Sequence, residues 1–455
     1  MPMAQHDSPL ITGKDQLIDW LAEGETPQQD WKIGTEHEKF LFEQNGLKRP
    51  AYEGDAGVGA LLSHLAEKHG MKPIMEGETI IGLDDGDGGS ISLEPGGQFE
   101  LSGAPLENLH QTCAEAGRHL NQMREATEQF GLGMIGLGFD PLWKREDIPW
   151  MPKGRYRIMR NYMPKVGTMG LDMMQRTCTI QVNLDYATEI DMVRKFRVSL
   201  ALQPVATALF ANSPFRERQS TGLLSTRAEV WTDTDPHRSG VPDCVFDENF
   251  GYEQWVDYIL DVPMYFLHHG VGYEDVAGLS FRDFMAGKLP GHEGLLPTMA
   301  DWSDHITTAF PEVRLKTYLE MRGADGGPWN MICALPALWV GLLYDAEALD
   351  AAEELAKGLN AADVEKARMD VACHGLNASV GDRSVLDLAR RMVDIASDGL
   401  SRRHRLDSSD NDESGFLDPV RQIAASGETR AETLLNHFEG KWAGSLEPLY
   451  RECQF

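Results

Sequence analysis

Basic residues are scarce in this sequence. Lys and Arg number 42 against 71 Asp and Glu over 455 residues, a formal net charge of −29. A surface of that sign repels phosphate backbones and anionic headgroups, which argues against nucleic acid and membrane as partners. A small anionic substrate stays possible, because a few Arg side chains or a bound divalent cation reverse the field inside one cleft. No uninterrupted apolar run approaches the roughly 20 residues that cross a bilayer. Met1–Leu10 lacks a basic segment followed by an apolar stretch, so no secretory signal is expected and a cytoplasmic location is the default. The six cysteines (Cys113, Cys178, Cys244, Cys333, Cys373 and Cys453) never come together as Cys-x-x-Cys. A structural zinc site is therefore not expected, whereas reduced, mostly buried thiols are.

Several catalytic signatures are missing too. No G-x-x-x-x-G-K-[S/T] run occurs, so any ATP is not held by a P-loop, and H-E-x-x-H is absent. Gly131–Gly136 spells G-x-G-x-x-G, but it leaves a helical pattern and enters a strand-like one. A dinucleotide site needs the opposite order, and Gly131 reads better as a helix C-cap. His268 and His269 are adjacent, which sends their side chains apart.

Strand-like runs cluster early and helices late, which predicts an α+β fold with an antiparallel sheet. The strands are Lys32–Phe42, a hairpin of Ser90–Glu94 and Gln98–Ser102 about Pro95–Gly97, Met134–Phe139 and Thr177–Leu184. Helices are expected at Leu106–Phe130, Asp191–Asn212, Tyr252–Leu260, Arg314–Met321, Pro336–Tyr344, Ala346–Leu359, Ala362–Cys373 and Val385–Ser397. Pro336 suits a first helical turn. Arg402–Gly415 reads as a surface loop before two final helices, and Arg322–Gly327 as a Gly-rich turn. One catalytic domain over 1–455 is expected, with the sheet mainly in 30–330 and a helical part from about 335 to 455.

The carboxylates carry the chemistry. Glu36 and Glu38 lie two apart on one strand and so project from one face; Glu94, Gln98 and Glu100 repeat this on the hairpin, with Leu93, Phe99 and Leu101 on the other side. Like charges facing each other across a sheet are destabilising. A solvated face is the commoner origin of such a pattern, but it normally includes Lys, and here neutralising Lys is sparse. Hard oxygen ligands of this kind suit Mg²⁺. On the next strand Thr177, Thr179, Gln181 and Asn183 share one polar face and Cys178 joins the apolar one. Arg155, Arg160, Arg227, Arg238 and Arg322, with Trp231, lie in the few basic clusters, and Arg is the usual partner of carboxylate and phosphate.

The runs GTEHEKF, MEGETIIGL, SLEPGGQFELSGAPLE, MPKGRYRIMRNYMPKVG, TCTIQVNLD, ALFANSPF, WTDTDPHR, DVPMYF and EMRGADGGPW follow one another in this order. Together they resemble the plant-type glutamate–cysteine ligase family in its bacterial form, from about residue 10 to the C-terminus. The resemblance implies a glutamine-synthetase-like curved antiparallel sheet whose concave face holds Mg²⁺, two or more ions, and ATP. It implies that the glutamate γ-carboxylate is phosphorylated by ATP and then attacked by the cysteine amine, the first step of glutathione synthesis. Glu36, Glu38, Glu94 and Glu100 would hold metal. Arg227, Trp231 and Gln98 would bind glutamate, Arg155 and Tyr265 would lie on the cysteine side, and Arg322 and Asn183 would serve the nucleotide phosphates. Cys113 and Cys333 match one of the family's two regulatory cysteine pairs, a possible redox pair expected here as free thiols. Val276 and Gly291 stand where the other pair would be. A monomer or weak homodimer acting on glutamate, cysteine and ATP is expected.

Two other readings stay open on sequence grounds. A γ-glutamyl ligase for another amine would keep the same metal face. A non-catalytic binder of divalent cations would need the acids but not the Arg322 segment.

Overall fold

The computed structural model describes residues 8–269 and 272–455, and of His269 the backbone alone. The reading of Met1–Leu10 thus lies mostly outside the described residues. Nine strands form one sheet: β1 Ile33–Glu43, β2 Lys72–Glu76, β3 Thr79–Asp84, β4 Ser90–Leu93, β5 Gln98–Ser102, β6 Leu132–Ile135, β7 Thr179–Leu184, β8 Val313–Leu315 and β9 Leu319–Asp325. Their order is β8-β9-β7-β1-β5-β4-β3-β2, and β6 joins the second half of β1. The pairings are antiparallel throughout, as the sequence leads one to expect.

Alternation along these strands sorts two chemistries onto two faces. Ile33, Ile180, Val182, Leu184 and Met321 turn to a core built with the long helices; Leu93, Phe99 and Leu101 turn to a second cluster. Those helices include α1 (Leu109–Gln129), α3 (Glu189–Leu209) and α5 (Trp329–Leu343), while the shorter α2 (Gly154–Tyr162) and α4 (Thr226–Thr232) border the polar face. Asn108 caps α1, accepting from Gln111 N–H, and Gly131 ends it at φ +66°. That left-handed position favours glycine, so the C-cap reading holds. On the core side β1 also buries His37 and Lys39, with Lys39 Nζ 2.8 Å from His119 Nε2. Burial pushes Lys39 down to about 7.

Four expectations are corrected. Arg314–Met321 is not a helix: β8 and β9 form a hairpin there, closed by Lys316 N–H donating to Tyr318 O at 2.9 Å. Arg322–Gly327 is not simply a turn, because β9 runs on to Asp325 with a register shift between Met321 and Ala324. Pro336 does not begin its helix; α5 starts after Pro328 and buries Pro336 in mid-helix. An internal proline costs about 3 kcal/mol, which packing of an almost wholly buried helix offsets. The segment after the Val385–Arg403 helix is pinned by Glu413, which is fully buried and accepts from Leu109 N–H. Three short helices follow it rather than two: Asp418–Ser426, Arg430–Glu439 and Glu447–Glu452. Among the described residues no single helix is long and apolar enough to cross a membrane.

Candidate active site

The register of the sheet lines up the polar residues. Glu38 faces Glu100 and Glu36 faces Gln181 across β1's two neighbours, and Asn183 faces Glu320 one strand further. Glu94 follows β4, its N–H donating to Gln98 O at 2.9 Å. The polar face opens into a cavity of about 280 Å³. Its lining falls into two wings: Glu36, Glu38, Glu94 and Glu100 on one side, and Arg314, Lys316, Glu320 and Arg322 on the other. Arg227 on α4 touches both, beside Glu38 and bonded to the Arg322 carbonyl; Arg155 on α2 and Trp231 on α4 also line the cavity, with Met159, Met173, Phe266 and Phe310 as its apolar wall.

Glu36 and Glu38 keep some exposure to the cavity, yet the surrounding protein dominates their ionisation. Desolvation, followed by the charges of Glu320 and Glu100, pushes Glu36 up to about 7. Lys316 and the Asn183 Nδ2–H hydrogen bond (2.8 Å) oppose this. Desolvation and then Glu100 and Glu94 hold Glu38 well above the usual carboxylate range, against Arg227 and a 3.0 Å bond from Thr179 N–H. Glu100 is raised by burial and by Glu94, although Ser92 Oγ–H donates to it at 2.6 Å. Burial would raise Glu320 as well, but Arg314, Lys316 and Arg322 together hold it far below the ordinary range. Arg314 grips it with two bonds, of 2.6 and 3.1 Å.

The acid wing has the chemistry of a cation site: crowded hard oxygens, desolvated and mutually repelling. Among the described residues no three His, Cys, Asp or Glu side chains converge into a ready-made metal cage. The acids line a bowl instead. Mg²⁺ tolerates that arrangement, since it keeps several waters and shares phosphate oxygens in place of a full set of protein ligands. The residues therefore fit Mg²⁺ by chemistry, with the coordination left to be completed by substrate and water.

Nine residues with an expected binding or metal role line this one cavity, Glu36, Glu38, Glu94, Gln98, Glu100, Arg155, Arg227, Trp231 and Arg322, together with Thr177, Thr179 and Gln181 of the polar strand face. Some of the expected roles need correction. Gln98 is 1% exposed, and its amide is engaged by the protein: Oε1 accepts from Gly96 N–H, and Nε2 donates to Met174 O and Thr177 O. It braces the hairpin and is poorly placed to bind substrate. Tyr265 points the wrong way. It is 1% exposed, stacks 3.8 Å from the Arg238 guanidinium and donates to Met163 Sδ; the next residue, Phe266, reaches the cavity instead. Asn183 lies behind Glu36 and holds it rather than lining the cavity. Cys113 and Cys333 are free, buried thiols, and burial, followed by the influence of Cys333, pushes Cys113 up. They do not line the cavity.

Arg314, Lys316 and Glu320 were missed. The helical reading of 314–321 hid them, although the two-residue spacings Arg314/Lys316 and Glu320/Arg322 are a strand signal. No sequence signal foretold the apolar wall, which comes from separate segments.

A family model described as glutamate–cysteine ligase family 2 matches residues 32–452. The chain is similar to the chloroplastic glutamate–cysteine ligase of Brassica juncea, 54% identical over 442 residues, which covers 97% of this chain and 84% of that one. Its similarity to glutamate–cysteine ligase B, chloroplastic, of Oryza sativa subsp. japonica is also 54%, covering 97% and 87%. Among solved structures, a Francisella tularensis glutamate–cysteine ligase in complex with AMP shares the fold, with a TM-score of 0.54 at 11% identity over 93% of this chain and 89% of that one.

Proposed function

We propose a division of labour within the cavity from the premise that this chain belongs to glutamate–cysteine ligase family 2 and joins glutamate to cysteine with ATP, the first step of glutathione synthesis. Glu36, Glu38, Glu94 and Glu100 would hold Mg²⁺, which would supply positive charge to neutralise the charge developing on the phosphates. Arg322 and Lys316, backed by Glu320 and Arg314, face the transferring phosphoryl group. Arg227 clamps the glutamate α-carboxylate: its Nη2 donates to Arg322 O at 2.8 Å, while its Nε has no partner among the described residues. Trp231 lies 5.9 Å from that guanidinium and screens it from water. Arg155 and the wall containing Phe266 receive cysteine, its carboxylate on the Arg and its thiol on the apolar side.

In this reading a glutamate γ-carboxylate oxygen attacks the γ-phosphorus, ADP leaves, and the cysteine amine displaces phosphate from the γ-glutamyl phosphate. No nucleophilic side chain is needed, because the protein's work is positioning and charge neutralisation. The observation that carries the reading is the meeting of five acids and five cations (Arg155, Arg227, Arg314, Lys316 and Arg322) in one cavity. Val276 and Gly291, standing where the second family cysteine pair is expected, support a bacterial, cytoplasmic enzyme, monomeric or weakly dimeric, without that pair's redox control. ADP release with ATP, Mg²⁺ and glutamate tests the reading under reducing conditions. Cysteine-dependent turnover that yields γ-glutamylcysteine and is abolished by EDTA is expected. Turnover preferring another amine, or unaffected by EDTA, would overturn it.

A further inference from the structure

Asp325 ends β9 at 1% exposure and does not line the cavity. Its carboxylate accepts three hydrogen bonds from two separate segments. Asn212 N–H and Ser213 Oγ–H donate to Oδ2 at 2.8 and 2.7 Å, and Ser225 Oγ–H donates to Oδ1 at 2.8 Å. Both hydroxyls pass the link onward. Ser213 Oγ accepts from Arg227 N–H at 3.2 Å, and Ser225 is the N-cap of α4, accepting from Ala228 N–H at 3.0 Å. The first turn of α4 is therefore fixed to the end of β9 from two sides.

That helix presents Arg227 and Trp231 to the cavity, one turn apart on the same side. The Arg227 guanidinium also binds back to β9, through the carbonyl of Arg322. Backbone and side chain of Arg227 are thus both referenced to the short segment 322–325. The anchor has little slack: a Cβ added to Gly138 would lie 2.3 Å from Asp325 Cγ. Burial pushes the Asp325 carboxyl up, while the Arg227 charge and the donated hydrogen bonds oppose this.

We propose that Asp325 is a positioning residue for glutamate binding, setting the first turn of α4 and so aiming Arg227 at the substrate carboxylate. The proposal rests on Arg227 being the glutamate clamp. A merely structural buried carboxylate would lower the amount of active enzyme, and hence kcat, for all substrates alike. A positioning residue instead changes KM for the one substrate that Arg227 holds.

The test is steady-state kinetics of the full chain as Asp325→Asn, Arg227→Ala and the double variant. Asp325→Asn keeps the shape but leaves the Ser225 hydroxyl proton without its acceptor. The expected result is an apparent glutamate KM raised about tenfold, with ATP KM within about twofold. In the Arg227→Ala background the same change adds nothing further, because the two residues act as one unit. A lower kcat with unchanged glutamate KM, equal effects on all substrates, or additive effects in the double variant would overturn the proposal. If Arg227→Ala leaves glutamate KM unaltered, the clamp reading fails. The glutamate-positioning role of Asp325 then falls with it, whereas a raised glutamate KM in Arg227→Ala beside an unchanged one in Asp325→Asn refutes the positioning role alone. Should Asp325→Asn fail to fold, Ser225→Ala removes one of the three bonds; about a threefold rise in glutamate KM supports the proposal, and an unchanged KM defeats it.

Discussion

Glu36 and Glu320 face one cavity from strands separated only by β7, and their surroundings drive them in opposite directions. Glu36 has acids for neighbours and is pushed up to about 7 by desolvation and like charge. Glu320 has three cations for neighbours and is held far below the usual range despite deeper burial. Burial alone therefore does not decide a carboxylate's state here; the partners do. In the cation wing three cations share one internal carboxylate, whereas the carboxylates of the acid wing chiefly face one another. The first arrangement contributes to the stability of the empty protein, and the second opposes it in favour of binding.

This contrast can be broken most forcefully at Glu320. Glu320→Gln strands Arg314, Lys316 and Arg322 without their shared counter-charge, and removing one partner of a buried ion pair costs about 3–5 kcal/mol. A large fall in the urea midpoint is expected, and an unchanged midpoint would remove the distinction between the wings. Glu36→Gln and Glu94→Gln should do the reverse. ATP turnover falls about 100-fold or more, while the metal-free protein melts no lower than wild type, since a repulsive charge has gone. Near-normal rates in both variants would reject the metal assignment. Arg227→Ala, at the border of the wings, should raise apparent glutamate KM about 30-fold and leave ATP KM within about twofold. Equal effects on both substrates would reject the clamp.

The smallest effect sharpens the comparison through pH. The folded value of Glu36 lies above its ordinary 4.5, so its stabilising contribution is full below 4.5 and is lost as pH rises to about 7. In EDTA the wild type should therefore lose about 2 °C more of melting temperature than Glu36→Gln between pH 5 and pH 8. Added Mg²⁺ should restore more at pH 8 than at pH 5, because it competes with protons for the acid wing. Parallel pH curves for the two proteins would contradict this account.

The two wings also differ in how plainly the sequence announces them. In the acid wing Glu94–Gln98–Glu100 alternate with Leu93, Phe99 and Leu101 around a Pro-Gly-Gly turn, a local pattern that specifies both the hairpin and its faces. The cation wing has no such punctuation. The β8–β9 turn at Lys316–Tyr318 contains no Gly, Pro or Asn, and Leu315 and Leu319 sit at helical spacing. Pairing with β7 anchors that hairpin to the sheet, and such a contact is remote in sequence. Pro336 misleads for a related reason, since burial of α5 overrides local propensity. Tyr265 and Phe266 exchange expected places, because the neighbouring side chain rather than Tyr265 reaches the cavity. Gln98 has the right face, but alternation says nothing about whether its amide is already engaged.

Pairing distance also orders assembly in time. Glu36, Glu38, Glu94 and Glu100 are all synthesised before Arg155, the first cation of the cavity, and long before Arg227, Arg314, Lys316 and Arg322. Strands β1, β4 and β5 can pair on a growing chain while β9 does not yet exist, and domains generally begin to fold from the N-terminal side during synthesis. The half-made sheet then carries unrelieved negative charge that dissolved Mg²⁺ can neutralise. Refolding of the full chain should accordingly be faster in Mg²⁺ than in EDTA, and equal rates would contradict the idea. On this view a divalent cation would act on the nascent chain before it takes part in any reaction.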